Sequence, residues 1–146
     1  MKIQIKAALI LAAAMAAFVP SLFAQLNIPS DGSDGALVIS SDTVIDLSQA
    51  VTGNWTNNNS ANAGKGIYDP NKCAVVFKYS SVTIAPNATV TFVNHPTHAP
   101  VVWLVTNDVT INGTLSLDGQ NSISDPVNLP EPGPGGFRGA SAPYHS

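Results

Sequence analysis

Four side chains in an asparagine-rich segment are suited to contact a sugar. They are Trp55, Asn57, Asn58 and Tyr68. Apolar aromatic faces provide contact area for a ligand, and nearby polar side chains fix its orientation by hydrogen bonds. We therefore interpret these four residues as candidate carbohydrate contacts. The alternative for Trp55 is structural, since an indole ring that folds back would cap the amino-terminal end of the fold.

Two histidines and an Asp-Gly segment raise the question of a metal site. His95 and His98 supply two imidazoles, whereas a zinc site has three or four protein ligands. Residues 31–35 read Asp-Gly-Ser-Asp-Gly, without the alternating acidic ligands and closing glutamate of an EF-hand loop. We expect a turn at residues 31–35, a surface connection at residues 95–98, and no metal or cofactor.

The remaining reactive groups form no catalytic motif that we recognise. The single cysteine, Cys73, precedes an apolar run and is interpreted as a small packed residue, because a catalytic thiol also needs a base. Several aspartates are spaced as strand ends and turns rather than as a carboxylate pair for glycoside cleavage. We assign no catalytic residue. The aspartates considered are Asp42, Asp46, Asp108, Asp118 and Asp125.

The first 24 residues have the layout of a signal peptide. Lys2 and Lys6 precede an apolar stretch over residues 7–19, which is shorter than the about 20 residues of a membrane-spanning helix. Removing these two lysines changes the net charge from −3 to −5. A weakly charged, acidic chain is a poor partner for nucleic acid or for an anionic membrane. We expect a secreted or cell-surface protein.

Two neighbouring stretches repeat one strand–turn–strand pattern. Val82-Thr83-Ile84 and Val109-Thr110-Ile111 start 27 residues apart, and the turns at Asn87 and Asn112 are 25 residues apart. Each tripeptide places its apolar side chains on one face and its threonine on the other. Parallel stacking brings the matching valines and isoleucines into columns, which predicts an all-β parallel solenoid. We expect left-handed backbone at both asparagines.

An antiparallel β-sandwich is the alternative fold. Asn112-Gly113 is also a signal for a tight hairpin, which joins antiparallel strands.

The chain divides into three predicted parts. Residues 1–24 form the signal peptide. Residues 25–118 form the amino-terminal coils and cap of the solenoid, interrupted by a polar insertion at residues 48–72 that its Gly and Asn content predicts as a loop. Residues 119–146 form an irregular Gly/Pro-rich segment, which we interpret as the truncated end of an amino-terminal fragment.

Three phrases resemble the start of large secreted bacterial proteins of uncharacterised function, at residues 29–37, 109–119 and 133–139. Such proteins are similar to the pectin-lyase-like superfamily. The resemblance implies a right-handed parallel β-helix. It carries over no catalytic residue, because the acidic metal-binding and basic residues of polysaccharide lyases have no matching motif here.

Two functions fit these observations. The first is a secreted, non-catalytic β-solenoid module that serves as a surface or adhesive scaffold or as a carbohydrate contact. The alternative is the amino-terminal portion of a polysaccharide-degrading β-helix enzyme, a lyase or glycoside hydrolase, whose active site lies beyond residue 146. The expected partners are polysaccharide or cell-surface material, together with self-association through the open end of the solenoid.

Overall fold

A computed structural model of the chain describes residues 29–119 and 131–137. The predicted signal peptide, at residues 1–24, lies outside the described residues, as does most of the predicted irregular segment. The described part is all-β, with nine strands and two 3-10 turns, Leu47–Gln49 and Ser60–Asn62. Among these residues, no helix has the length and apolar character needed to cross a membrane.

The strands form two sheets. One has the order β1-β5-β4-β3, with β7 and β8 also paired to β5, and the other has the order β2-β6-β9. The strands are β1 (Gly35–Ile39), β2 (Thr43–Asp46), β3 (Val51–Thr52), β4 (Ile67–Asp69), β5 (Ala74–Ile84), β6 (Thr89–Val93), β7 (Val101–Val105), β8 (Val109–Ile111) and β9 (Thr114–Leu115).

Parallel pairing arranges seven of these nine strands in three tiers, and β3 and β4 lie outside them. The first tier contains β1 and β2, the second contains β5 and β6, and the third contains β7, β8 and β9. Val82 pairs with Val109, and Ile84 pairs with Ile111, all in parallel register. The predicted stacking of the two repeated tripeptides is therefore confirmed.

The long strand β5 bends without losing its apolar face. Tyr79 pairs with Gly35, whereas Ser81 pairs with the next residue, Ala36, so Ser80 is an extra residue on β5. Such a bulge shifts the alternation of side chains by one position. Phe77 and Tyr79 before the bulge and Val82 and Ile84 after it consequently belong to one core.

The polar insertion is more ordered than its composition predicts. Residues 48–72 contain β3 and β4, and β4 pairs antiparallel with β5 while β3 pairs parallel with β4. The prediction of a loop over the whole insertion is therefore wrong. The sheets are mixed and open, although six of the seven strand pairs in the described residues are parallel, a pattern that differs from an antiparallel sandwich.

The turn at Asn112 in the third tier packs directly against the turn at Asn87 in the second. Asn87 has the predicted left-handed backbone, with a φ of 65°, whereas Asn112 does not, so that prediction was wrong for Asn112. A Cβ atom on Gly113 would lie 2.2 Å from the carbonyl oxygen of Ala88. Only glycine permits this approach of one turn to the next.

The three tiers differ sharply in burial. Val82, Ile84 and Val90 in the second tier are fully buried, and Ile39 in the first is 7% exposed. In the third tier the side chain of Ile111 is 46% exposed. Among the described residues, the apolar side chains of the first tier are therefore covered, whereas those of the third tier are exposed.

Candidate functional site

A buried carboxylate connects three separate segments at the covered end. Asp34 Oδ1 accepts hydrogen bonds from Asn59 Nδ2 at 2.7 Å and from the Gly64 backbone N–H at 3.0 Å. Asp34 Oδ2 accepts from the backbone N–H of Lys78 at 2.6 Å. Asp34 thereby holds the turn at residues 31–35 and the insertion against β5.

The side chain of Lys78 completes this network. It is 1% exposed, although charged groups are rarely buried unless paired. Its ammonium lies 3.3 Å from the carboxylate of Asp31 and donates to the backbone carbonyl of Asn57. Hydrogen bonds from Ser33, and then from Lys78, lower the pKa of Asp31 to about 2. The Asp-Gly segment is thus a turn that binds the lysine.

Trp55 lines an apolar groove on the outer face of the large sheet. Its backbone N–H donates to Asp69 Oδ2 at 3.1 Å, which fixes the insertion at this point. The indole is half-buried rather than fully covered. The groove encloses about 250 Å³ and is also lined by Pro29, Lys72, Ala74, Val76, Val102 and Leu104.

Asn57 and Asn58 are exposed on the same stretch of the insertion as Trp55. The Asn58 amide donates to Asp31 Oδ2 at 3.2 Å, and its Oδ1 accepts from the Ser60 backbone N–H at 3.0 Å. The structure therefore holds both asparagines beside the Lys78 network.

Tyr68 does not belong to this surface. In β4 it pairs with Val75, whose side chain lies in the core, and Tyr68 itself packs against that core. Its ring stacks on His95 with centroids 4.1 Å apart. Because Ala74 and Val76 of β5 line the tryptophan groove and Val75 lies between them, Trp55 and Tyr68 are on opposite faces of the sheet.

His95 is a buried residue rather than part of a surface connection, contrary to the sequence prediction. Only 8% of it is exposed. Its Nδ1 lies 2.8 Å from the Thr97 hydroxyl and accepts from the Thr97 backbone N–H at 3.3 Å. Burial lowers the pKa of His95. A neutral imidazole therefore packs under the ring of Tyr68.

A polar cleft of about 370 Å³ lies beside these histidines. His98 Nδ1 is 3.9 Å from the carboxylate of Glu131, and Asn94 Nδ2 donates to the Pro132 carbonyl at 2.5 Å. These contacts attach residues 131–133 to the turn that carries the histidines. The cleft is lined by Phe92, Val93, Asn94, His95, Pro96, His98, Asp118, Glu131, Pro132 and Gly133.

Among residues 29–119 and 131–137, no group of three or more His, Cys, Asp and Glu side chains is placed to hold a metal ion.

Two further aspartates accept hydrogen bonds from the backbone. Asp42 accepts from the N–H of Thr89 at 2.8 Å, which connects the first tier to the second. Asp46 accepts from the N–H of Ser48 at 2.9 Å, and the hydrogen bonds from Ser48 lower the pKa of Asp46. These carboxylates stabilise turns and strand ends, as the sequence spacing predicts. Asp125 lies outside the described residues.

The environment of Cys73 differs from the sequence interpretation. Cys73 is exposed at a turn with a φ of 49°, rather than packed beside the apolar run. Its Sγ lies 3.4 Å from the Pro70 carbonyl oxygen.

Sequence reasoning missed the most buried polar residue of the candidate region. Lys78 is the single charged residue in a mostly apolar strand. That isolation was the sequence feature that could have indicated a buried lysine. A surface strand would place a lysine in solvent, so its burial depends on the insertion and on the turn at residues 31–35. The partners of Lys78, Asp31 and Asn57, are distant in sequence.

The chain matches no protein-family model, curated protein or solved structure.

Proposed function

We propose that this chain is the capped, amino-terminal part of a right-handed parallel β-helix that acts outside the cell as a non-catalytic scaffold and contacts polysaccharide. The observation that carries the proposal is the parallel register of like residues in successive tiers, together with the burial of the first tier and the exposure of the third among the described residues. The resemblance to pectin-lyase-like proteins agrees with it.

The strand pairing supports the helical part of this proposal. β1, β5 and β8 follow one another in space as they do in sequence, and β2, β6 and β9 do the same in the second sheet. Each return to a parallel neighbour passes through the other sheet. Connections between parallel strands are right-handed in about 98% of cases, which favours the right-handed form.

The roles of the carboxylates support a non-catalytic scaffold. Asp34, Asp42 and Asp46 hold backbone N–H groups, and Asp31 binds the ammonium of Lys78. Each of these contacts stabilises a tier or the cover of the stack. A general acid or base would instead face a site that admits substrate.

The surface formed by Trp55, Asn57 and Asn58 is the best contact for a sugar. The half-buried indole offers an apolar wall, and the two exposed asparagines follow it two and three residues later in the chain. Tyr68 is excluded from this surface by its stacking on His95.

A binding experiment with the whole secreted chain tests this function. We expect retardation in gels containing soluble polysaccharides and loss of that retardation in Trp55→Ala. Removing the contact of one aromatic ring is worth about 1.5 kcal/mol, or about tenfold in affinity. Phe137→Ala is the matched control, because Phe137 is 96% exposed elsewhere. Equal binding by both variants would contradict the assigned surface.

The polar cleft favours an enzyme with a site within this chain as a second candidate. Asp118 and Glu131 both line the cleft, and carboxylate pairs are the groups that cleave glycosidic bonds. The same polysaccharide panel distinguishes the two functions. New reducing ends or unsaturated products that disappear in Glu131→Gln would replace the scaffold with the enzyme, whereas binding without products supports the scaffold.

A further inference from the structure

We infer that residues 25–28 occupy the apolar groove beside Trp55 and compete with polysaccharide for it. These four residues directly precede the described chain, which begins at Pro29. Pro29 itself lines the groove, so the segment that precedes it starts at the groove. The competition rests on the proposed sugar contact at Trp55, whereas the binding of the segment does not.

The chain is attached to the wall of the groove immediately after Pro29. The hydroxyl of Ser30 donates to the backbone carbonyl of Leu104 at 3.1 Å, and Leu104 lines the groove. From there the chain passes Gly32, which approaches Ser80 of β5, and enters β1. Residues 25–28 are therefore tethered at the groove itself. A short tether gives an effective concentration in the millimolar range, which favours binding of even a small segment.

The sequence of the segment suits an extended strand with one apolar face. Residues 25–28 read Gln-Leu-Asn-Ile. The residue before a proline is restricted to extended conformations, which applies to Ile28. In an extended segment Leu26 and Ile28 point to one side, and Gln25 and Asn27 point to the other. Four extended residues span about 13 Å. The segment therefore presents two aliphatic side chains to one surface.

The groove has the chemistry and the size to receive them. Ala74 and Val76 of β5 and Val102 and Leu104 of β7 form its apolar lining. Val102 and Leu104 are half-buried, so apolar surface remains for a further contact. The groove encloses about 250 Å³. A cavity of about 150 Å³ lined by apolar side chains holds a benzene molecule. The groove therefore has room for about two aliphatic side chains.

The segment and the sugar share one wall of the groove. The indole of Trp55 lines the groove and is also the apolar surface that we assign to polysaccharide. A segment in the groove covers that wall, so polysaccharide binds only those molecules in which the groove is free. The apparent affinity for polysaccharide is reduced by the fraction of free grooves.

Disulfide formation tests the binding of the segment in the whole secreted chain. In a Cys73→Ser background, Leu26→Cys with Val102→Cys should cross-link in dilute, mildly oxidising solution. Asn27→Cys with Val102→Cys is the matched control, because Asn27 is nearer to Pro29 yet belongs to the opposite face of the extended segment. Equal cross-linking of the two pairs, or none in either, would overturn the inference.

Retardation in polysaccharide gels tests the competition. Leu26→Ser with Ile28→Ser should bind about tenfold more tightly than the natural chain, which corresponds to a groove that is free in about one molecule in ten. Gln25→Ser with Asn27→Ser is the control and should bind like the natural chain. Unchanged binding by the Leu26 and Ile28 variant, alongside lost binding in Trp55→Ala, would overturn the competition. Selective cross-linking without any retardation would instead support the docked segment and overturn the polysaccharide contact alone.

Discussion

Ile84 and Ile111 pair in parallel register, yet Ile84 is fully buried and Ile111 is 46% exposed. Both residues are isoleucines that follow a Val-Thr pair and end a strand. They differ in their neighbouring strands, since Ile84 has β1 above it and β8 below it. Position in the stack therefore decides whether the repeated side chain forms core or surface.

Replacing Gly113 by alanine should destabilise the stack by about 3 kcal/mol. The added Cβ would lie 2.2 Å from the Ala88 carbonyl oxygen and 2.5 Å from that of Ala85, so the third-tier turn must move away from the second. Urea unfolding followed by circular dichroism measures the change. Gly53→Ala is the control, because its Cβ would make ordinary contacts, 3.6 Å or more from its neighbours. Equal losses in the two variants would contradict the close turn stacking.

Replacing Asp34 by alanine should cost about 3 kcal/mol, because three N–H donors lose a buried acceptor. The loss should be accompanied by faster hydrogen exchange over residues 57–64, since Asp34 holds Asn59 and Gly64. Asp108→Ala, at an exposed turn, serves as the control. Protection of residues 57–64 that survives in Asp34→Ala would show that the insertion is held in another way.

Stability should decrease below about pH 6.5 because of His95. Burial lowers the pKa of His95 in the folded chain relative to its ordinary 6.5, so the unfolded chain binds a proton first as the pH falls. The stabilisation that comes from keeping His95 neutral is complete above pH 6.5. It is lost as the pH falls from 6.5 to the lower pKa that His95 has in the folded chain. Urea midpoints from about pH 8 to about pH 5 measure it.

His95→Gln should have a flatter pH profile than the natural chain over that interval. His98 and Glu131 are kept in this variant, so any slope that they cause remains. A profile of unchanged steepness in His95→Gln would assign the pH dependence to other groups.

A second pH dependence should appear in more acidic solution. Hydrogen bonds from Ser33 and from Lys78 hold the pKa of Asp31 at about 2, below its ordinary 3.8. The stabilisation by this carboxylate is present above 3.8 and is lost as the pH falls towards 2. Asp31→Asn should remove that part of the acid unfolding profile, and an unaltered profile would contradict the role of Asp31 at Lys78.

The repeat was predictable from sequence because both copies contain the same residue types in the same order. Alternating Val-Thr-Ile places apolar side chains on one face, and an equal spacing of turns brings the copies into register. The apolar face and the register both follow from local sequence, given that like repeats stack on one another in parallel. The pairing of Val82 with Val109 follows from them directly.

The cover of the first tier was not predictable in the same way. β3 and β4 are two and three residues long, too short to show a period. β4 forms on the edge of β5, and β3 forms on the edge of β4. The separation of Trp55 from Tyr68 depends on β4, since alternation along that strand turns Tyr68 towards His95. The burial of Lys78 depends likewise on segments distant in sequence.

Cross-linking of Thr83 to Thr110 tests the parallel stacking most directly. The two residues are register partners, both side chains are exposed, and neighbouring strands lie about 4.8 Å apart, within the span of a disulfide. In a Cys73→Ser background, Thr83→Cys with Thr110→Cys should form an intramolecular disulfide in dilute, mildly oxidising solution. Thr83→Cys with Thr91→Cys is the control, because Thr91 pairs with Val44 in the other sheet. A folded double variant that leaves both thiols free, or that cross-links no better than the control, would contradict the account.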